Sequence, residues 1–268
     1  MDIIYQLPLP TEVCCKIFIF ACISPHTGLG VAIIKKKLNV KKLKIPEKDK
    51  DVICIDKKVI RPKLKDIYID LYFYTNFYNL TKIDLHESAG LYGNIANLYT
   101  LNNLTVIMLN ETMVSGDIKD LKSLHNLITI NLERTIVTGD IFHLRYLSNL
   151  QEIFLTDTGV FGNIAHLKSL KKLNTICIEH NPEANKDLDE DWNEIYVDSS
   201  VYGDISNLKS MNSLTHVWLT GTKVHGNINV MKSMYNLNVF KTSDSNVTGD
   251  YQEFYNYRAN NGLPMCWV

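Results

Sequence analysis

The side chains that could do chemistry are scattered. The chain has no GxxxxGK[ST], no GxGxxG placed after a strand, no HExxH and no GxSxG, so the frames for phosphate cradling, zinc hydrolysis and serine hydrolysis are missing. Its eight histidines are dispersed. His143 and His166 do share one site in successive copies of a repeated phrase, but metal binding there is the weaker reading. The six cysteines, at 14, 15, 22, 54, 177 and 266, form no CxxC pair. They read as free thiols in a reducing compartment. One oxygen-bearing column recurs at Asn94, Asp117, Asp140, Asn163, Asp204, Asn227 and Asp250. A row of carboxylates and amides suggests calcium, yet one per repeat is more simply a cap on the first N–H groups of the segment that follows. No catalytic residue, metal or cofactor is expected.

What positions these residues is a period. The phrase TGDIFHLRYLSNL (138–150) returns as SGDIKDLKSLHNL, FGNIAHLKSLKKL, YGDISNLKSMNSL and HGNINVMKSMYNL, after an earlier YGNIANLYTLNNL. The glycines Gly93, Gly116, Gly139, Gly162, Gly203, Gly226 and Gly249 are 23 residues apart, except for one gap of 41. Written from the glycine, the unit is G-[DN]-I-x-x-L-x-x-L-x-x-L-x-x-I-x-L-x-x-T-x-V-x. The I-x-L portion alternates as a short strand with one buried face. T-x-V-x-G turns the chain, and Ile, Leu and Leu at three-residue spacing suit a helical or 3-10 return with one apolar side. A single unit cannot enclose its apolar side, so the copies must stack around a shared core.

This unit resembles the leucine-rich repeat, in the form found in plants and algae, over roughly residues 69–250. It lacks that form's proline and carries Thr where Asn is usual. The resemblance implies an α/β solenoid with about eight short parallel strands on a concave face and short helical or 3-10 return segments. The strands run Leu80-Ile83-Leu85, Leu104-Ile107-Leu109, Leu127-Ile130-Leu132, Leu150-Ile153-Leu155, Leu173-Ile176-Ile178, Leu214-Val217-Leu219 and Leu237-Phe240-Thr242. The long gap holds Trp192-Ile195-Val197, which fits the strand of a degenerate sixth unit. The alternative is a surface insertion.

The ends need covers, because terminal units would otherwise expose apolar surface. The expected parts are an N-terminal helical segment (1–45), a basic strand cap (46–68), the solenoid (69–250) and a C-terminal helix–strand cap (251–268). VICID (52–56) and DIYID (66–70) read as strands pairing onto the first unit. YQEFYNYRANNG (251–262) reads as a helix stopped by Gly262, followed by a last strand LPMCWV. Leu9, Pro10 and Val13, followed by Ile17 and Phe18, resemble the opening of an F-box. That implies docking onto a Skp1-like adaptor of a ubiquitin ligase; the plainer reading is a helical hairpin.

Residues 1–65 carry net charge +8 and residues 66–268 carry −9. KKKLNVKKLK (35–44) could be an import signal, a nucleic-acid patch or a solvated helix end. Without arginine or interleaved aromatics it argues against nucleic acid. No run approaches a membrane span, and KIFIFACIS lacks the basic lead of a signal peptide. The protein is expected to be cytoplasmic, with nuclear residence the variant, and monomeric.

What varies between copies is the strand's outward face, where such proteins bind. Its central row reads Asp84, Met108, Asn131, Phe154, Cys177, Tyr196, Trp218 and Lys241. The binding set expected is Met108, Glu111, Glu133, Glu152, Phe154, Asp157, Tyr196 and Trp218: aromatic anchors in an acidic field, suited to a basic or mixed-charge protein segment. The function expected is non-enzymatic protein–protein recognition. The alternatives are an F-box-type adaptor and an extracellular recognition or receptor domain.

Overall fold

A computed structural model of the chain describes residues 42–44, 53–55, 58–60, 69–76, 79–87, 91–180 and 200–266. Two parallel sheets run the length of the array, joined in every unit by a short 3-10 segment. In the first sheet the repeat strands are Lys82–Asp84, Val106–Met108, Thr129–Asn131, Glu152–Phe154, Thr175–Cys177, His216–Trp218 and Val239–Lys241. Their middle residues Ile83, Ile107, Ile130, Ile153, Ile176, Val217 and Phe240 form one in-register row. All seven are fully buried. A one-residue slip would move that row to solvent, so the hydrophobic pattern fixes the pairing.

The 3-10 segments are Ile95–Thr100, Ile118–Ser123, Ile141–Tyr146, Ile164–Ser169, Ile205–Leu208 and Ile228–Met231. Three residues per turn put Ile118, Leu121 and Leu124, and their counterparts, on one buried edge. Each buried leucine is worth about 1.5–3 kcal/mol over an exposed one.

The second sheet goes beyond the sequence reading. The T-x-V-x-G-[DN] stretch is a strand as well as a turn, at Leu91–Asn94, Met113–Asp117, Ile136–Asp140, Gly159–Asn163, Ser200–Asp204 and Lys223–Asn227. Ile69–Asp70 and Asn246–Thr248 close its two ends. The glycines sit at φ between 109° and 125°, where an L side chain is strained. Each is also pressed from the unit before. A methyl on Gly139 would land on the Asp117 carboxylate, and one on Gly162 on that of Asp140. Asp117 Oδ1 is there to accept the Lys119 N–H at 2.9 Å, and Asp140 Oδ1 to accept that of Phe142 at 2.8 Å. The oxygen column is therefore a set of caps, with Asp70 as an added first member on Tyr72, and the glycine column exists to make room for it.

The threonines are structural too. Thr112, Thr135, Thr158 and Thr222 are buried, and each hydroxyl donates to the carbonyl three residues back, at 2.6–2.7 Å. A second ladder joins the coils: Asn126, Asn149 and Asn236 donate to the carbonyls of Asn102, His125 and Asn212.

Four expectations change. Thr175–Cys177 pairs directly with His216–Trp218, and Gly159–Asn163 with Ser200–Asp204. No strand intervenes between them, so among the described residues the first sheet has seven repeat strands, and the sixth strand expected at Trp192-Ile195-Val197 has no place between this pair; residues 181–199 themselves lie outside the described residues. At the N-terminal end, Lys42–Lys44 lies parallel to Lys82–Asp84; it is a strand where a solvated helix end was one reading. Ile53–Ile55 pairs antiparallel to it, and Lys58–Ile60 follows. Thus 53–55 covers the first unit one strand removed, and Ile69–Asp70 joins the second sheet instead. Finally, no strand follows the C-terminal helix within 263–266.

That helix, Tyr251–Asn260, seals the last coil. Asp250 caps its start by accepting the Glu253 N–H, and Phe254 is fully buried beneath it. Arg258 is also fully buried. Its guanidinium donates to the carbonyls of Lys232, Met234 and Leu237 in the last return and of Pro264 beyond the helix. Burial lowers its pKa. Carbonyls at the end of the last described coil thereby gain side-chain donors, that of Met234 in addition to the Leu237 N–H.

Candidate partner-binding face

Alternation along each first-sheet strand turns the flanking residues away from the core. The central row on that concave face runs Asp84, Met108, Asn131, Phe154, Cys177, Trp218 and Lys241 on successive strands. Met108, Asn131, Phe154 and Trp218 are partly exposed. His216, two residues before Trp218, stacks on its indole at 5.3 Å between centroids and 14° between planes. The Thr215 hydroxyl lies 2.8 Å from His216 Nδ1. Sequence reading missed this histidine, although the same i, i+2 alternation that selected Trp218 points to it.

Cys177 lies between Phe154 and Trp218 and is nearly buried. Its Sγ is 3.1 Å from the Thr156 hydroxyl and donates toward Glu133 Oε1 at 3.6 Å. Burial and the neighbouring carboxylates push its thiol pKa up to about 12. It packs as a small apolar group with no nucleophilic character.

The acidic residues divide. Glu152 is held by a hydrogen bond from the Thr129 hydroxyl at 2.8 Å, and Glu133 lies beside Cys177. Glu111 pairs with Arg134 at 3.3 Å, both half-exposed. With Glu179 these carboxylates border the aromatic row.

One member of the expected set does not belong. Asp157 is 3% exposed. It sits at φ 50° in the tight turn after the strand, with Arg134 Nε at 3.9 Å. Buried there, its carboxylate offers no open surface to a partner. Tyr196 lies outside the described residues. At the other end, Asp84 is 2% exposed, enclosed by Lys82 Nζ at 3.1 Å and His86 Nδ1 at 2.7 Å, so it too is spent within the fold.

His143 and His166 are not a metal pair in this arrangement: both pack edge-on against the Phe142 ring. Among the described residues no group of three metal-ligating side chains converges, and no helix is long and apolar enough to cross a membrane. The residues resembling an F-box, Leu9, Pro10, Val13, Ile17 and Phe18, lie outside the described residues.

No family model and no curated protein matches the sequence. Solved structures do match. The chain is similar to internalin C2 from Listeria monocytogenes at 20% identity and TM-score 0.55, over 75% of this chain and 78% of that one. It is similar to the ectodomain of the Arabidopsis receptor kinase HAESA, in complex with a peptide hormone, at 18% identity and TM-score 0.55, over 71% of this chain and 31% of that one. The ectodomain of the receptor kinase GASSHO1/SCHENGEN3 from Arabidopsis thaliana matches at 18% identity and TM-score 0.53, over 65% of this chain and 19% of that one. This chain therefore spans a third or less of those plant ectodomains. Stacked 23-residue coils, two parallel sheets and these likenesses together establish the fold as a leucine-rich repeat solenoid.

Proposed function

We propose that this protein is a non-enzymatic recognition module that holds a segment of another polypeptide on its concave face. The observation that carries the reading is the contiguous row Met108, Asn131, Phe154, Cys177 and Trp218, with His216 stacked beside it. Desolvated aromatic anchors ringed by polar groups are what concentrate interface energy. Glu111, Glu133, Glu152 and Glu179 border them, which favours a partner segment with basic side chains. The complex of HAESA with a peptide hormone shows the same fold serving capture of a polypeptide, which supports the reading.

The test is an affinity pull-down from host extract with wild-type protein and a Phe154→Ala/Trp218→Ala variant, followed by titration of the captured partner. Loss of about 2 kcal/mol or more in affinity is expected if these are hot spots. Unchanged affinity would move the site elsewhere. A reducing intracellular setting is part of the proposal, in keeping with the buried free thiol of Cys177. The extracellular alternative draws on the exposed sequons at Asn103 and Asn246, and glycans found there in the native host would decide for it.

A further inference from the structure

We propose that the face formed by the 3-10 return segments, opposite the concave sheet, binds single-stranded nucleic acid through its phosphodiester backbone. Across 95–104, 118–127, 141–150, 164–173, 205–214 and 228–237 there are eight Lys or Arg and one acid, Asp120. Because the unit is periodic, Lys122, Arg145, Lys168, Lys209 and Lys232 occupy one position in successive coils, in single file. Adjacent coils are spaced like parallel strands, roughly 5 Å apart. Lys232 is committed to Glu253 at 2.8 Å. The other four are exposed, and among the described residues no carboxylate pairs with them.

Stacking like charges on neighbouring coils works against stability. The concave face avoids it, setting Arg134 between Glu111 and Asp157. The file of cations is thus a cost that a polyanion would remove. Its second member is pre-organised: the Arg145 guanidinium lies 3.6 Å over the Phe142 ring, and Nη2 donates to the Tyr146 hydroxyl at 2.7 Å. A planar guanidinium fixed in this way presents its remaining donors at a set angle, as phosphate recognition requires.

Tyrosines interleave with the cations. Tyr99 takes the file position in the coil before Lys122, 63% exposed, Tyr146 follows Arg145, and Tyr235 stands three residues after Lys232, 75% exposed. A row of cations following a backbone, with aromatic rings on which bases stack, is the physical basis of single-strand binding. An acidic polypeptide would use the cations and leave the rings idle. A bilayer calls for a plane of charge, whereas Lys122, Arg145, Lys168 and Lys209 form a line, with Lys171 and Lys172 beside it in one coil alone. The lysine run at 35–44 lacks arginine and interleaved aromatics; this face has both.

The experiment is fluorescence anisotropy of full-length protein with labelled oligo(dT) and oligo(rU) of twenty nucleotides, at 50 and 200 mM salt. Four phosphate contacts predict a loss of about 50-fold in affinity over that salt range. Lys122→Glu/Lys168→Glu/Lys209→Glu should abolish binding with an unchanged far-UV circular dichroism spectrum. Tyr99→Ala/Tyr235→Ala should weaken it at least about 10-fold with the salt slope intact. Phe154→Ala/Trp218→Ala should leave it unaltered, which keeps this surface separable from the concave one. The proposal is overturned if no oligonucleotide binds at 50 mM salt, if the triple reversal leaves binding intact, or if the tyrosine variant binds like wild type. Tighter binding to phosphatidylserine vesicles or polyglutamate than to either oligonucleotide also overturns it.

Discussion

Arg258 offers the sharpest stability test. Its guanidinium is fully buried and hydrogen-bonded to four main-chain carbonyls, those of Lys232, Met234, Leu237 and Pro264. Arg258→Met keeps most of the volume and removes every donor. Replacing a buried ion pair by apolar groups can be neutral because both polar partners leave together. Here the acceptors are peptide carbonyls, which stay. Each stranded acceptor costs about 1–3 kcal/mol. Entry of water and relaxation of the helix share that cost, so a total of about 3–5 kcal/mol is expected, on the scale of a broken buried pair. Arg258→Lys retains a charge but not the fork, and should fall between. Urea titration followed by circular dichroism measures the total, and hydrogen exchange at amides 228–254 locates it, with the last coil opening first. If Arg258→Met lies within about 1 kcal/mol of wild type, with exchange across Met231–Phe240 unchanged, the argument that this side chain closes the stack fails.

The inter-coil lock makes further predictions. Gly139→Ala meets both a φ of 109° and the Asp117 carboxylate, and should cost about 2–4 kcal/mol in urea titration, more than strain alone. Gly262→Ala, at φ 62° with open space around it, should cost about 1 kcal/mol or less. Thr135→Val strips the hydroxyl from the Leu132 carbonyl inside the turn and should cost about 1–2 kcal/mol. Asp204 is held below the ordinary carboxyl value of 3.8 by the Ser206 backbone N–H and side-chain hydroxyl. For Asp117, burial pushes upward but is outweighed by the Lys119 N–H and ammonium, so its pKa is also lowered. A depressed folded pKa gives stability that is full above the unfolded value and lost as pH falls through the folded one. Asp117→Asn/Asp204→Asn should therefore match wild type near neutrality, since Asn163 and Asn227 cap just as well. It should lose less stability than wild type below about pH 4, measured by denaturation midpoints.

The period was legible because apolar residues with a single job recur in register: Ile83 to Phe240 for the first sheet, and Ile118, Leu121 and Leu124 for a return. The capping role of Asp117 and its relatives was legible for the same reason. The second sheet was not, because T-x-V-x-G-D carries one buried valine per unit, too little alternation to distinguish a strand from a turn. Trp192-Ile195-Val197 matches the strand template, and only the direct pairing of Cys177's strand with that of Trp218 shows that no strand lies between those two. Asp157 read as a binding carboxylate because nothing local reveals that it sits at positive φ and turns inward. Nothing in the sequence singles out Arg258; its burial depends on where the described coils end, which no window of residues contains.

Glycine and the Asp or Asn after it act as socket and plug between successive coils, and every coil after the first, where Asp70 follows Ile69, carries one of each. A duplicated block of 23 residues, such as 139–161, thus arrives with both halves of the fastening and can be spliced in between its neighbours without redesigning either. Growth of the array by tandem copying is built into the joint, and the chain could be lengthened or shortened by whole coils provided the segment bearing Arg258 stays last.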